Sequence, residues 1–259
     1  APHDVRITTR VSSDDFIGNL YGVIHEAGHA MYEQGLDPAW EHTPLCDSIS
    51  MGIHESQSRF WENDIGRGEP FWSHFLPKMR KYFPDQLADV NAREMAAAVN
   101  PVRPSLIRVE ADEVTYPAHV ILRTRLERAL IAGDLAVADL PGAWGDELAG
   151  LIGVRPETDR EGVLQDIHWF DGAFGYFPTY TLGAMTAAQL MAAAEADRPD
   201  IPAALGEGDF TPLLDWLGAA VHSQASRYPT QELIRRATGR PLDPTAFQAH
   251  LKRRYLESE

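Results

Sequence analysis

Phe16, Leu20, Ile24, Ala27 and Met31 recur every three or four residues. That spacing commits the stretch to a helix with one apolar face, because only a 3.6-residue repeat brings those positions together. Ser12 or Ser13, followed by Asp14 and Asp15, offers a helix start with acidic side chains near the positive end of the dipole. Gly35 suits a C-cap after Gln34. The same pattern continues down the chain, punctuated by 18 Pro and 20 Gly. Leu45, Ile49, Ile53 and Phe60 predict a second helix over about Leu45 to Asp64, stopping near Gly66 and Gly68. Further helical segments are expected at Pro70–Phe83, Asp85–Val99, Ser105–Ala132 with a bend at Pro117, and Trp144–Ile152. Others are expected at Thr179–Ala196, Pro212–Ser226, Gln231–Thr238 and Pro244–Leu256. Gly162 to Pro178 is rich in Gly and aromatics, lacks a helical period and reads as an ordered loop. Val5 to Arg10, with β-branched Val5, Ile7, Thr8 and Thr9, is the one strand candidate. The expected class is mainly α, with at most a small β element.

Composition excludes several functions. The 259 residues carry a net charge of −15, which argues against nucleic-acid or anionic-membrane binding, since both need a basic face. No run approaches the ~20 apolar residues of a membrane span. The most apolar stretch, Leu182 to Ala194, is interrupted by Thr186 and Gln189, and the N-terminus has no apolar core of a signal peptide. Cys46 is the single cysteine, so neither an internal disulfide nor an all-thiolate metal site is available. A reducing, cytoplasmic setting fits, and a disulfide-free exported protein is the alternative.

The first helix carries His25-Glu26-Ala27-Gly28-His29. Two histidines at i and i+4 lie one turn apart on one face, so both imidazoles reach one cation, and Glu26 beside them can take a proton from water on that cation. The bland alternative is two surface histidines beside a solvated Glu. A catalytic zinc site takes three protein ligands plus water. The second helix offers Glu55, 26 residues after His29, with Arg59 one turn later to orient it, and His54 as an alternative ligand. A solvated polar face is the plain reading of that pair. Chemistry of this kind also needs a donor for the developing oxyanion; His168, Tyr176 and Tyr180 in the aromatic loop are candidates, with buried structural aromatics as the alternative.

Five ordered motifs resemble those of the carboxypeptidase Taq family of zinc metallocarboxypeptidases. They are Asp4-Val5-Arg6-Ile7-Thr8, His25 to His29, His54 to Arg59, Ile107-Arg108-Val109-Glu110-Ala111-Asp112, and Gly162 to Trp169 followed by Phe174 to Tyr180. The resemblance implies that His25, His29 and Glu55 bind the metal, choosing Glu55 over His54, with Glu26 as the catalytic carboxylate. It implies Zn2+ as the ion, with Co2+ as a substitute, and removal of single residues from peptides with a free C-terminus and broad side-chain tolerance. It also implies a single helical catalytic domain over residues 1–259, and a homodimer. Arg6 and Arg108 lie in two of the motifs, and an Arg fork matches a carboxylate, so they are the expected readers of the substrate C-terminus. Their plainer roles are ion pairs, Arg6 with Asp4 and Arg108 with Glu110 or Asp112. Family members are longer, with a helical N-terminal half before the first motif, so the chain is expected to match a C-terminal half. The competing expectations are a metal- or peptide-binding remnant without turnover, and a zinc endopeptidase or aminopeptidase with an open groove.

Overall fold

A computed structural model describes residues 4–257. Among them there are eleven α-helices and no strand. The helices are α1 (Phe16–Gln34), α2 (Met51–Arg59), α3 (Glu69–Met79), α4 (Ala92–Ala98), α5 (Tyr116–Ala132), α6 (Leu140–Ile152), α7 (Pro178–Asp197), α8 (Ile201–Glu207), α9 (Thr211–Ala220), α10 (Thr230–Thr238) and α11 (Thr245–Tyr255). None is long and apolar enough to cross a membrane. The chain divides into two compact units, residues 1–99 with 182–259, and residues 100–181.

In the first unit, Tyr32, Ile53, Phe60, Leu190, Ile201, Leu213 and Leu217 form the main core. A second cluster centres on Tyr21, Trp72 and Leu76. In the second unit, α5 and α6 close over Leu122, Leu126, Trp144 and Leu148.

Several boundaries differ from the sequence reading, and each has a local cause. The first helix starts at Phe16, because Asp15 rather than Ser12 or Ser13 caps it, its carboxylate accepting from the Gly18 N–H at 2.8 Å. The second begins at Met51 instead of Leu45, because the Ser50 hydroxyl caps it by accepting from the Ile53 N–H. The Leu45 carbonyl is taken by the Ser226 N–H at 3.2 Å. The helix expected from Asp85 begins at Ala92, where Asn91 and Glu94 form a capping box. Ahead of it the chain turns, with the Arg80 guanidinium donating to the Leu87 and Val90 carbonyls. The helix expected from Ser105 starts at Tyr116. Asp112 accepts from the Val114 and Thr115 N–H groups, both at 2.9 Å, and holds the preceding residues in a turn. Pro117 therefore sits in the first turn, where a missing N–H costs nothing, and bends nothing. A further correction concerns Val5–Arg10, which forms no strand: the segment is largely exposed, and a lone extended stretch has no neighbour to pair its backbone. Helix α8 is an addition to the sequence reading, and α6 starts four residues early. The loop at 162–178 is irregular, as expected.

One further feature lies outside sequence patterning. Beyond Arg59 the backbone continues as a π-helix over Phe60–Gly66. Such wide turns are rare and change which side chains share a face.

Candidate metal centre

Helices α1 and α2 cross at Gly28. A Cβ there would stand 2.6 Å from the Gln57 carbonyl oxygen and 2.7 Å from the Ser58 Cα, so only glycine permits this approach. A second close contact comes from α7, where a Cβ on Gly183 would lie 2.9 Å from the Glu55 Cγ. Gly28→Ala is expected to cost about 1–3 kcal/mol by pushing two backbones apart. Urea unfolding together with zinc titration checks this, and an unchanged midpoint would disprove the tight crossing.

Helix α2 is polar yet buried, and its polar atoms are bonded. The Ser56 hydroxyl donates to the Ile53 carbonyl at 2.6 Å, and the Ser58 hydroxyl to the Glu55 carbonyl at 2.8 Å. Gln57 Oε1 lies 2.9 Å from the Nε2 of His222. Burial of this face is tolerable for that reason.

At the crossing, one ligand atom each from His25, His29 and Glu55 lies within 4.8 Å of the others. Glu55 Oε2 is 3.8 Å from His25 Nε2 and 3.5 Å from His29 Nε2. Bonds of 2.0–2.1 Å in a tetrahedral site place ligand atoms roughly 3.3 Å apart, so the set fits a small divalent ion with little movement. Two imidazoles and one carboxylate are also a borderline donor set of the kind that zinc takes. Glu55 is 6% exposed. Burial alone would raise its pKa, but the His29 hydrogen bond and the charge of Arg59, whose Nε donates to Oε1 at 2.8 Å, hold it at about 2. The carboxylate therefore meets a cation already ionised.

Each histidine is also held from behind. His25 Nδ1 is 2.9 Å from Glu62 Oε2, and Glu62 receives Arg59 at 3.4 Å and Arg67 at 3.3 Å. Burial works against charge on Glu62, yet Arg59, His25 and Arg67 bring its pKa to about 2. Glu62 lies in the π-helical stretch. His54, the alternative ligand, does not join the donor set; its Nδ1 lies 2.6 Å from His29 Nδ1 and its Nε2 lies 2.9 Å from Glu33 Oε1. Sequence reasoning missed Glu62 and Glu33. The spacing of Glu55, Arg59 and Glu62 at i, i+4 and i+7 was the available signal for Glu62. Glu26, next to His25 on α1, is partly exposed, and no bond to its carboxylate is found among the described residues.

Arg6, with a side chain 83% exposed, forks onto Asp4 at 2.8 and 2.7 Å. Arg108, His168, Tyr176 and Tyr180 belong to the second unit. Arg108 is 5% exposed; its Nε and Nη2 donate to Asp166 Oδ1 at 3.0 and 2.6 Å, and its Nη1 to the Tyr116 hydroxyl. Asp166 also takes the Nε of the fully buried Arg123 at 2.6 Å. His168 Nε2 is 2.9 Å from the Tyr180 hydroxyl, and the Tyr176 ring packs 5.4 Å from the His168 ring. Burial and the charge of Arg108 push the His168 pKa down. The loop bearing these groups is fixed by Glu127, which accepts from the Trp169 indole N–H at 2.8 Å and from the Gly175 N–H.

A helical fold with a His-Glu-x-x-His helix and a carboxylate ligand on the next helix defines a metallopeptidase-type centre. The family model for carboxypeptidase Taq (M32) metallopeptidases matches residues 1–255, and the chain belongs to that family. It is similar to thermostable carboxypeptidase 1 of Thermus thermophilus, 47% identical over 254 residues, covering 98% of this chain and 50% of that protein. Carboxypeptidase 1 of Bacillus subtilis is 44% identical over 252 residues, covering 97% and 50%. The crystal structure of an M32 carboxypeptidase from Deinococcus radiodurans R1 superposes with a TM-score of 0.96 at 47% identity, covering 99% of this chain and 52% of that one. The chain thus spans about half the length of the curated relatives it matches. The family implies a divalent metal, and His25, His29 and Glu55 are the candidate site for it.

Proposed function

We propose that this chain carries the zinc centre of a metallocarboxypeptidase that removes C-terminal residues from peptides with broad side-chain tolerance. The observation that carries the reading is the convergence of His25, His29 and Glu55 beside Glu26, on the helix of the two histidines. When bound, the divalent ion supplies Lewis acidity and a fixed positive charge. Co2+ is the expected substitute. Glu26 takes the proton of the attacking water and returns it to the leaving amine, so one carboxylate serves as base and then acid. His168, Tyr176 and Tyr180 are assigned to the developing oxyanion, which needs hydrogen-bond donors. Arg6 and Arg108 are assigned to the substrate's terminal carboxylate. Asp166 is shared between Arg108 and Arg123, so in this reading Arg108 keeps a counter-ion while an N–H that Asp166 does not engage reads the substrate. A single catalytic domain, a homodimer and a cytoplasmic setting complete the proposal, the last supported by the single, unpaired Cys46.

The test is hydrolysis of matched peptides with free and amidated C-termini by the zinc-loaded protein. Release from the free peptide alone is expected. Equal cleavage of the two would sink the carboxylate-reading role of Arg6 and Arg108. Zinc uptake without any hydrolysis would reduce the chain to a binding module.

A further inference from the structure

We propose that His54 is a positioning residue that ties the ring of His29 to Glu33, so that an ion on His29 fixes the tautomer of both histidines. The inference rests on the metal-centre reading above.

The geometry runs in one direction. His29 Nε2 faces Glu55 Oε2 at 3.5 Å, and its other nitrogen stands 2.6 Å from His54 Nδ1. A ring nitrogen that holds a cation carries no proton, so the proton of a neutral, liganded His29 sits on Nδ1. Two facing Nδ1 atoms share a single hydrogen. His54 Nδ1 must then accept, which leaves the His54 proton on Nε2. That atom is 2.9 Å from Glu33 Oε1, where the proton has an anionic acceptor. With an ion on His29 Nε2 and both rings neutral, one arrangement satisfies every group in the chain His29, His54, Glu33. The Tyr32 ring packs edge-on against His54 at 5.4 Å and limits its rotation.

The two metal-facing histidines therefore have different supports. His25 rests directly on Glu62, whose side chain is 13% exposed and is braced by Arg59 and Arg67. His29 rests on a second imidazole, and the charge that polarises it is one residue further out, on Glu33, whose side chain is 30% exposed. His54 passes that orientation inward. Partners of this kind are typically worth 10–100-fold in metal affinity.

Two measurements on the whole chain test this. In nitrogen-resolved NMR of the zinc-loaded protein, His29 is expected as the Nδ1–H tautomer and His54 as the Nε2–H tautomer. In competition with a chromophoric chelator, His54→Ala is expected to weaken zinc binding 10–100-fold. His54→Gln, whose amide oxygen can accept from His29, should recover part of that loss. The metal-free melting temperature of both variants reports any loss of fold. A proton on His54 Nδ1 in the zinc-loaded protein, or unchanged zinc affinity in His54→Ala, overturns the inference alone. Unmutated protein that takes up no zinc overturns the metal-centre reading and this inference with it.

Discussion

Glu26→Gln is expected to slow peptide hydrolysis by about 10²–10⁴-fold while zinc affinity and melting temperature stay unchanged. The amide keeps the shape of the side chain but cannot take a proton from water. The candidate ligand atoms belong to His25, His29 and Glu55, so the substitution leaves that donor set intact. Glu26 is partly exposed and no bond of its carboxylate is found among the described residues, so little of the packing depends on its charge. Rates with a free-C-terminus peptide, read beside metal content, check the expectation. A Gln variant as fast as the unmutated protein would remove Glu26 from the mechanism. A variant that has lost its zinc would show that the carboxylate acts on the ion instead.

The second large effect is on stability. Asp166→Asn is expected to destabilise the protein by about 3–5 kcal/mol, because removing one partner of a buried ion pair leaves charge without compensation. Here two guanidinium groups depend on one carboxylate. Arg123 is fully buried and Arg108 nearly so. Burial pulls the Arg123 pKa down to about 10 even with Asp166 opposing the shift, which shows how poorly that site solvates a cation. Stacking on Trp144, with the guanidinium carbon 4.5 Å from a ring centroid, offsets only part of the cost. The exposed pair Arg125–Glu147 is the control: Arg125→Ala should change stability by less than about 1 kcal/mol. Urea unfolding of both variants separates the cases. Similar small losses would mean that Asp166 is dispensable to the charge balance.

The sequence was most legible where chemistry and periodicity coincide on one element. His25, Glu26 and His29 share a helix whose apolar face is plain, and Glu55 stands one helix later with Arg59 at i+4. Helices α1, α7, α10 and α11 end within a few residues of where Gly, Pro and the apolar period place them. Helices α2, α4 and α5 start later than expected, because single caps and turns at Ser50, Asn91 and Asp112 outweigh the apolar spacing upstream. The partner of Arg108 was hidden for a different reason. Glu110 and Asp112 are adjacent in sequence, yet Asp166, 58 residues away, holds the guanidinium, and no local pattern encodes that pairing. Glu62 stands at i+7 from Glu55 and i+3 from Arg59, a spacing that carries the signal, but its role behind His25 depends on a contact 37 residues away in sequence that no local pattern encodes.

The crossing at Gly28 gives the fold an adjustable fastener. The glycine lets α1 and α2 touch, and the same two helices carry the candidate ligands His25, His29 and Glu55. An ion held there adds stability by mass action, about 4 kcal/mol at a thousandfold excess over its dissociation constant and almost nothing in chelator. The joint around Asp166 has no such dependence, since its charges are built into the chain. The protein is therefore riveted in one place by composition and in another by the surrounding solution, and scarcity of metal loosens only the second.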